Sequence, residues 1–293
     1  MSEAAGRYYV PHGSNWPITA SIGLFTLALG FVLFLNNATP GPWIMTIGGL
    51  ILAYMMFGWF GTVVRESEGG KYNDDVDVSF RMSMGWFIFS EVMFFAAFFG
   101  ALYYVRNYAV PWLADTELLW PGYDGTWPTA GPEGQRFAGE QLEHIDAATE
   151  FSTIAPWKIP FLNTAILLTS SVTITIAHWA LKVNKRAQLI FWLAVTVVLG
   201  FIFVYFQAGE YIEAYGHLGL TLGTGVYGAT FFMLTGFHGL HVTIGAIILT
   251  VILIRCIRGH FRPEHHFAFE AGAWYWHFVD TVWVGLFFLV YIL

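Results

Sequence analysis

The stretch from Trp16 to Val64 reads WPITASIGLFTLALGFVLFLNNATPGPWIMTIGGLILAYMMFGWFGTVV and contains no Asp, Glu, Lys or Arg. A transmembrane helix needs about 20 apolar residues to cross about 30 Å of hydrocarbon, so this stretch is long enough for two helices. Turn-forming residues interrupt it at residues 36–42, NNATPGP. We therefore predict two membrane-spanning helices, at residues 16–36 and 42–64.

The composition of the whole chain agrees with a membrane protein. Hydrophobic residues make up 56% of the 293 residues and charged residues only 11%, whereas soluble domains carry about 25% charged residues. The mean hydropathy is +0.57. A single cysteine, Cys256, excludes an internal disulfide and any metal cage built from cysteines.

The same apolar pattern recurs through the rest of the chain. It predicts five further helices, at residues 82–105, 159–181, 187–209, 225–254 and 267–293. Residues 107–156 are polar and rich in Pro and Gly, which predicts an extramembrane loop with a short helix around 138–150. The predicted fold class is therefore all-α, a polytopic membrane protein of seven transmembrane helices in a single membrane domain spanning residues 1–293.

The positive charges predict the orientation of these helices. With the N-terminus inside, three cations fall outside, Arg106, Arg136 and Lys158. Ten fall inside, namely Arg7, Arg65, Lys71, Arg81, Lys182, Lys185, Arg186, Arg255, Arg258 and Arg262. Because cytoplasmic segments are enriched in Lys and Arg, we predict a cytoplasmic N-terminus, and seven crossings put the C-terminus on the opposite side.

Glu91 is the one charged residue in the predicted third helix, within the apolar sequence WFIFSEVMFF at residues 86–95. A carboxylate at that depth is costly, so we expect Glu91 to be protonated or paired. Two roles are open: a carboxyl group linked to proton movement or to an interface, and a neutral acid that hydrogen-bonds a neighbouring helix.

Four further ionisable residues lie midway through the last two predicted helices. His238 and His241 are three residues apart on one helix, and His277 and Asp280 are three apart on the other. Each pair shares a helix face. A metal site built from all four is one interpretation, but a structural network of interhelical hydrogen bonds is the one we favour. We expect no metal and no catalytic residue on this chain.

The predicted inner rim is basic and suits the anionic headgroup of a phospholipid. Its candidate lipid-binding residues are Arg65, Arg255, Arg258 and His265. The positive-inside rule alone also explains each of these cations. The chain has no phosphate-binding loop and no nucleic-acid-binding signature.

Several strings resemble one known family, subunit III of the haem-copper cytochrome c oxidases. They are VRES at residues 64–67, SEVMFF at 90–95, TGFHGLHV at 235–242 and HHFAFEAGAWYWHFVD at 265–280. The last string is long and unusual. The similarity runs in order from about residue 16 to the C-terminus, and the long insert makes the chain look like the bacterial aa3-type form.

The resemblance implies a fold in which helices 1–2 splay from a bundle of helices 3–7 and bound phospholipid fills the cleft between them. It implies haem and copper on partner subunits rather than on this chain, with the catalytic subunit I and subunit II as partners. In the family, Glu91 matches a buried carbodiimide-reactive glutamate, and Arg65 and Arg255 match residues that hold lipid phosphates.

The function implied is that of a non-catalytic core subunit of a proton-pumping oxidase in aerobic respiration. Such a subunit supports proton uptake into the catalytic subunit and protects it during turnover, in the bacterial inner membrane. Subunit III of a related quinol oxidase is the alternative, although the member of that group we compare has fewer helices. An independent membrane transporter or membrane metalloenzyme would need broken helices in pairs or a full ligand set, and the sequence offers neither.

Overall fold

The computed structural model of the chain describes residues 8–11, 13–132 and 151–293, which form helices joined by turns and loops, with no β-strand among them. In chain order the α-helices are α1 (Trp16–Leu35), α2 (Gly41–Glu68), α3 (Asp74–Tyr104), α4 (Val110–Ala114), α5 (Ile159–Lys182), α6 (Arg186–His217), α7 (Gly225–Arg258) and α8 (Phe267–Leu286). Two π-helical turns, Val105–Ala109 and Phe287–Ile292, follow α3 and α8.

Seven helical segments within the described residues are long and apolar enough to cross a membrane. The segment Asp74–Ala114 counts as one, because α3, the first π-turn and α4 are continuous. The predicted fold class, an all-α polytopic protein with seven transmembrane helices, is confirmed. The predicted splay of the first two helices stays a prediction.

Helix ends differ from the predicted ones where the chain leaves the apolar run. The observed ends are Glu68 for α2, Asp74 for the start of α3, His217 for α6 and Arg258 for α7, against predicted residues 64, 82, 209 and 254. An apolar run indicates only the residues that suit the hydrocarbon, whereas the helix itself continues as long as its residues favour the helical conformation. At the start of α3, the acidic side chains of the first turn also complement the helix dipole.

The predicted loop at residues 107–156 begins too early. The third segment stays helical to Ala114, through the π-turn and the short helix that carries Pro111. A proline inside a membrane helix is tolerated where a local π-turn adjusts the backbone, and the π-turn Val105–Ala109 directly precedes the helix that carries Pro111. The short helix predicted at 138–150 lies outside the described residues, as do Arg7 and Arg136.

The chain divides into two compact units, Met1–Met82 and Ser83–Leu293. In the first unit, α1 and α2 form an antiparallel hairpin, with glycines at the positions where the two backbones come closest. A Cβ built on Gly30 would lie 2.4 Å from the backbone nitrogen of Met45, and one built on Gly48 would lie 2.4 Å from that of Leu27. Small residues at these crossings let the two backbones approach closely, as is typical of helices packed in a membrane.

In the second unit, α5, α6, α7 and α8 pack around a core of large aromatic side chains. Trp276 of α8 is fully buried between two glycines. A Cβ on Gly200 of α6 would lie 2.6 Å from its ring, and one on Gly245 of α7 would lie 3.0 Å away. The indole Nε1 donates to Ser170 Oγ of α5 at 2.8 Å. One side chain of α8 therefore contacts all three of the other helices in this bundle.

Candidate functional site

Glu91 of α3 meets His241 of α7 inside the second unit. Nε2 of His241 lies 2.8 Å from Oε2 of Glu91. The other ring nitrogen, Nδ1, lies 2.6 Å from the carbonyl oxygen of Phe237, one turn earlier on α7. Both nitrogens of the imidazole are therefore engaged, one by its own helix and one by the carboxyl group.

These two contacts limit the protonation states of the pair. A carbonyl oxygen only accepts hydrogen bonds, so Nδ1 of His241 carries a proton. Nε2 then either accepts from a protonated Glu91 or, as N–H of an imidazolium, donates to a carboxylate. In both cases one proton lies between Glu91 and His241, and the pair as a whole is electrically neutral. A neutral pair is much less costly in an apolar setting than a lone carboxylate.

Aromatic rings surround this pair. The ring centroid of Phe95 lies 5.0 Å from that of His241, and the ring of Tyr275 of α8 stacks on His241 at 6.5 Å. The hydroxyl of Tyr275 donates to the carbonyl of His241 at 3.4 Å. Within this chain 21% of the Glu91 side chain and 13% of the His241 side chain stay exposed. The carboxyl is thus half-buried by its own chain rather than fully enclosed.

A second polar cluster joins α5 to α8. Ser171 Oγ lies 2.6 Å from Nδ1 of His277, and the same hydroxyl donates to Oδ2 of Asp280. Since the hydroxyl has one proton and gives it to the carboxylate, the bond with His277 requires an N–H on Nδ1. Asp280 is buried, but 43% of the His277 side chain is exposed. This cluster, Ser171, His277 and Asp280, therefore reaches the outer surface of the bundle.

His238 makes a third, separate contact. Its Nε2 lies 3.0 Å from the carbonyl oxygen of Val279, so it donates to the backbone of α8. The ring is fully buried and lies near Trp283 and Phe203. His238 thus links α7 to α8 through a contact that is buried inside the bundle.

The four residues predicted as one polar network are therefore divided among three contacts. His241 contacts Glu91, His238 contacts the backbone of α8, and His277 and Asp280 contact Ser171. Sequence reasoning missed Ser171, because single serines are frequent in membrane helices and carry no distinctive signal.

It also missed Glu210. Helix α6 extends past the predicted end at residue 209, so Glu210 lies inside the bundle with 1% exposure. Its Oε1 accepts hydrogen bonds from the Tyr291 hydroxyl at 2.5 Å and from Nε2 of Gln207 at 3.2 Å. The only available signal was its spacing of three residues from Gln207, which places both on one helix face.

The predicted lipid-binding residues lie at helix ends in both units. In the second unit, Arg255 and Arg258 are in the last turn of α7, and His265 is exposed in the turn before α8. The guanidinium of Arg255 lies 4.5 Å from the centre of the Phe261 ring. In the first unit, Arg65 is in the last turn of α2 and donates to Thr62 Oγ1 at 3.2 Å.

Comparisons with known proteins indicate one protein family. A family model described as cytochrome c oxidase subunit III matches residues 7–122 and 140–293. The cytochrome c oxidase subunit 3 of Prototheca wickerhamii is 40% identical over 285 residues, covering 97% of this chain and 96% of that protein. The proteins of the same name from Oncorhynchus mykiss and Carassius auratus are each 39% identical over 292 residues, covering 99% of this chain and 98% of theirs.

Proposed function

The chain belongs to the cytochrome c oxidase subunit III family, and from that premise we propose that it is the non-catalytic core subunit III of a proton-pumping oxidase in aerobic respiration. As a multi-pass membrane protein of this family, it is a subunit of an oxidoreductase complex that includes other oxidase subunits. We propose the catalytic subunit I and subunit II as its direct partners, and a cytoplasmic N-terminus in a bacterial inner membrane as its setting.

The observation that carries the proposal is the exposure of His277. Its side chain is part of a polar cluster midway along α8, and 43% of it is uncovered by this chain. Hydrocarbon offers no hydrogen-bond partner, so polar side chains at that depth face protein or water rather than lipid. A partner subunit with a polar group against His277 satisfies this requirement, which supports a role as a docked subunit.

We place the haem and copper of the complex on the partner subunits. His241 uses both ring nitrogens in hydrogen bonds, and His277 uses Nδ1 for Ser171. Metal coordination at His241 would have to break one of those bonds. The division of the central histidines among three separate contacts also supports a structural use for them.

We further propose that the chain binds phospholipid at its predicted inner rim. Arg255, Arg258 and His265 lie within one helix end and the turn that follows it. Arginine offers a planar fork of donors that suits phosphate oxygens, and basic residues at a helix end suit anionic headgroups. Arg65, at the end of α2 in the first unit, is a second position of the same kind.

The role in proton uptake rests on the pair of Glu91 and His241. The pair holds one proton in an otherwise aromatic setting, and 21% of the Glu91 side chain is exposed on the surface of this chain. We propose that it orders the surface beside the catalytic subunit, which supports proton uptake and stability during turnover. The redox chemistry itself takes place on the partners.

The docking role is tested by removing the exposed cluster. In the double variant Ser171→Ala/His277→Ala, we expect the chain to be lost from the affinity-purified complex at detergent concentrations that leave the wild type bound. Thr169→Ala is the matched control, because that exposed hydroxyl on α5 already donates to its own helix at Ala165. Equal retention of the double variant and the control would contradict the docking surface.

A subunit III of a related quinol oxidase is the alternative partner assignment, and a free-standing transporter is not favoured by the family. The two oxidase types differ in the electron donor, which the partner subunits bind. The haem spectrum of the purified complex, together with oxygen consumption on reduced cytochrome c and on quinol, separates them.

A further inference from the structure

Two histidines and a glutamate converge at one end of the second unit, away from the contacts described above. His178 lies near the end of α5, His266 stands directly before α8, and Glu270 is in the first turn of α8. One ligand atom from each of the three lies within 4.8 Å of the other two. We propose that His178, His266 and Glu270 bind a divalent transition-metal ion, with Zn²⁺ as the best match.

The distances suit a shared ion. Nε2 of His178 lies 3.5 Å from Oε1 of Glu270, and Nε2 of His266 lies 3.3 Å from the same oxygen. With Zn–N and Zn–O bonds of about 2.0–2.2 Å in a tetrahedron, two ligand atoms on one ion are separated by about 3.3–3.5 Å. Each histidine nitrogen thus stands at ligand spacing from the Glu270 oxygen, and all three ligand atoms lie within 4.8 Å of one another.

Direct hydrogen bonding explains the arrangement less well. Strong N–H···O bonds have separations of about 2.7–3.2 Å, and both of these contacts are longer. Nε2 of His178 and both ring nitrogens of His266 are buried without a hydrogen-bond partner among the described residues. A buried nitrogen left in this way carries the full cost of its lost hydration. A metal ion would use the lone pairs of both Nε2 atoms.

The backbone and the neighbouring rings hold these side chains in place. His266 precedes α8 and its carbonyl accepts from the backbone N–H of Glu270 at 3.2 Å, which fixes the two residues one turn apart. Only 8% of His266 is exposed. The ring of Phe269 lies 5.4 Å from that of His178. Each ligand is thus on a helix or directly at its start, where a site is held more precisely than on a loop.

The donor set selects the class of metal. Two imidazole nitrogens and one carboxylate oxygen suit Zn²⁺ and related ions, whereas Ca²⁺ and Mg²⁺ require mostly oxygen ligands. Three protein ligands leave the fourth position of a tetrahedral ion for water. The ion would connect the end of α5 to the start of α8. This inference departs from our expectation of no metal on the chain, which was argued from the central histidines of α7 and α8 and from the single cysteine, and not from these three residues.

The test measures zinc in the intact complex. The wild-type complex is loaded with ⁶⁵Zn²⁺, passed over a weak chelating resin, and compared with complexes that carry His178→Ala, His266→Ala or Glu270→Gln. We expect each variant to retain one zinc equivalent fewer than the wild type. His217→Ala is the control. The start of α6, Arg186, follows the end of α5 that carries His178, whereas the exposed His217 lies at the far end of α6, so this variant should retain the wild-type amount of zinc.

A second measurement keeps the proposal testable if an alanine variant fails to assemble. Zn²⁺ bound only by the folded state raises its melting temperature, so added zinc should raise the melting temperature of the wild-type complex. Glu270→Gln keeps the shape of the side chain and should abolish that rise. Equal zinc content in wild type and Glu270→Gln, or an equal zinc-dependent rise in melting temperature, would overturn the assignment.

Discussion

Oε2 of Glu91 and Nε2 of His241 lie 2.8 Å apart, although 150 residues separate them in the chain. The contact joins α3 to α7 within the second unit. Because Nδ1 of His241 donates to the carbonyl of Phe237, the pair holds a single proton between its two side chains. The consequences of this arrangement differ for variants that keep a hydrogen-bond donor at position 91 and those that remove it.

Glu91→Gln should preserve the contact, since an amide N–H donates to Nε2 of a neutral His241. We expect a thermal stability close to that of the wild-type complex and most of the oxygen-reduction activity. Glu91→Ala leaves Nε2 without a partner and should cost about 1–3 kcal/mol in stability. Thermal melting of the purified complex and oxygen electrode assays measure the two effects.

Infrared difference spectra can identify which side chain holds the proton. A protonated carboxyl absorbs apart from a carboxylate, so one of the two signals must disappear in Glu91→Gln. The matched control is Glu117→Gln, an exposed acid that follows α4. If Glu91→Gln abolished oxygen reduction in a fully assembled complex, Glu91 would have to be an obligatory proton carrier, and its structural role would be refuted.

Two glycines on α6 offer a test of the packing around Trp276. A Cβ on Gly200 would lie 2.6 Å from the indole ring, whereas a Cβ on Gly209 has no heavy atom within 4 Å. Gly200→Ala should therefore destabilise the subunit by about 1–3 kcal/mol through overpacking. Gly209→Ala should leave stability unchanged or raise it by up to about 1 kcal/mol, because alanine favours the helix. Detergent-based unfolding of both variants gives the comparison, and equal stability of the two would show that the Trp276 contact is not tight.

The sequence was sufficient for the seven crossings because the bilayer imposes a length and an apolar composition on each of them. It was also sufficient to single out Glu91, since a charge within an apolar helix is rare. The partner of Glu91 could not be predicted. His241 was grouped with His238 from their shared helix face, and periodicity within one helix does not say which neighbouring helix that face contacts.

The other differences between prediction and structure lie near the ends of helices. Glu210 and the last turns of α2 and α7 extend beyond the apolar runs, where hydropathy no longer indicates a helix. His178 lies near the end of α5 and Glu270 in the first turn of α8, and their convergence depends on how these two helices pack. Such contacts are set by the tertiary fold, whereas sequence patterns describe one helix at a time.

The lipid proposal predicts a loss of bound anionic phospholipid from Arg65→Ala/Arg255→Ala. Each arginine is in the last turn of its helix, α2 or α7. Replacing both removes two cations that suit phosphate oxygens, so mass spectrometry of lipids retained by the purified complex should show the reduction. Arg106→Ala is the control, because Arg106 lies near the C-terminal end of the third crossing segment, on the predicted outer side. Equal lipid retention in the double variant and the control would argue against the assignment.

The contact between Glu66 and two tyrosines predicts a pH dependence in the first unit. Tyr72 donates to Oε2 of Glu66 at 2.9 Å, and Tyr9 donates to Oε1 at 2.8 Å. The pKa of Tyr72 is raised well above its ordinary value. Burial is the larger cause, and the hydrogen bond to Glu66 is the next. The hydrogen bond to Glu66 also raises the pKa of Tyr9. Both tyrosines therefore hold their protons more tightly in the folded unit than in the unfolded chain.

For a group whose pKa is raised on folding, the stabilisation is fully present below the unfolded pKa, about 10 for tyrosine. It is lost as the pH rises from there through the folded pKa. We expect the contribution of these tyrosines to the stability of the first unit to be constant at pH 7–9 and to fall above about pH 10. Tyr72→Phe removes the main contribution, so its stability should fall less steeply over the same range. Thermal melting of wild type and variant between pH 8 and 11 checks this, and parallel curves for the two proteins would show that Tyr72 is not the group that titrates.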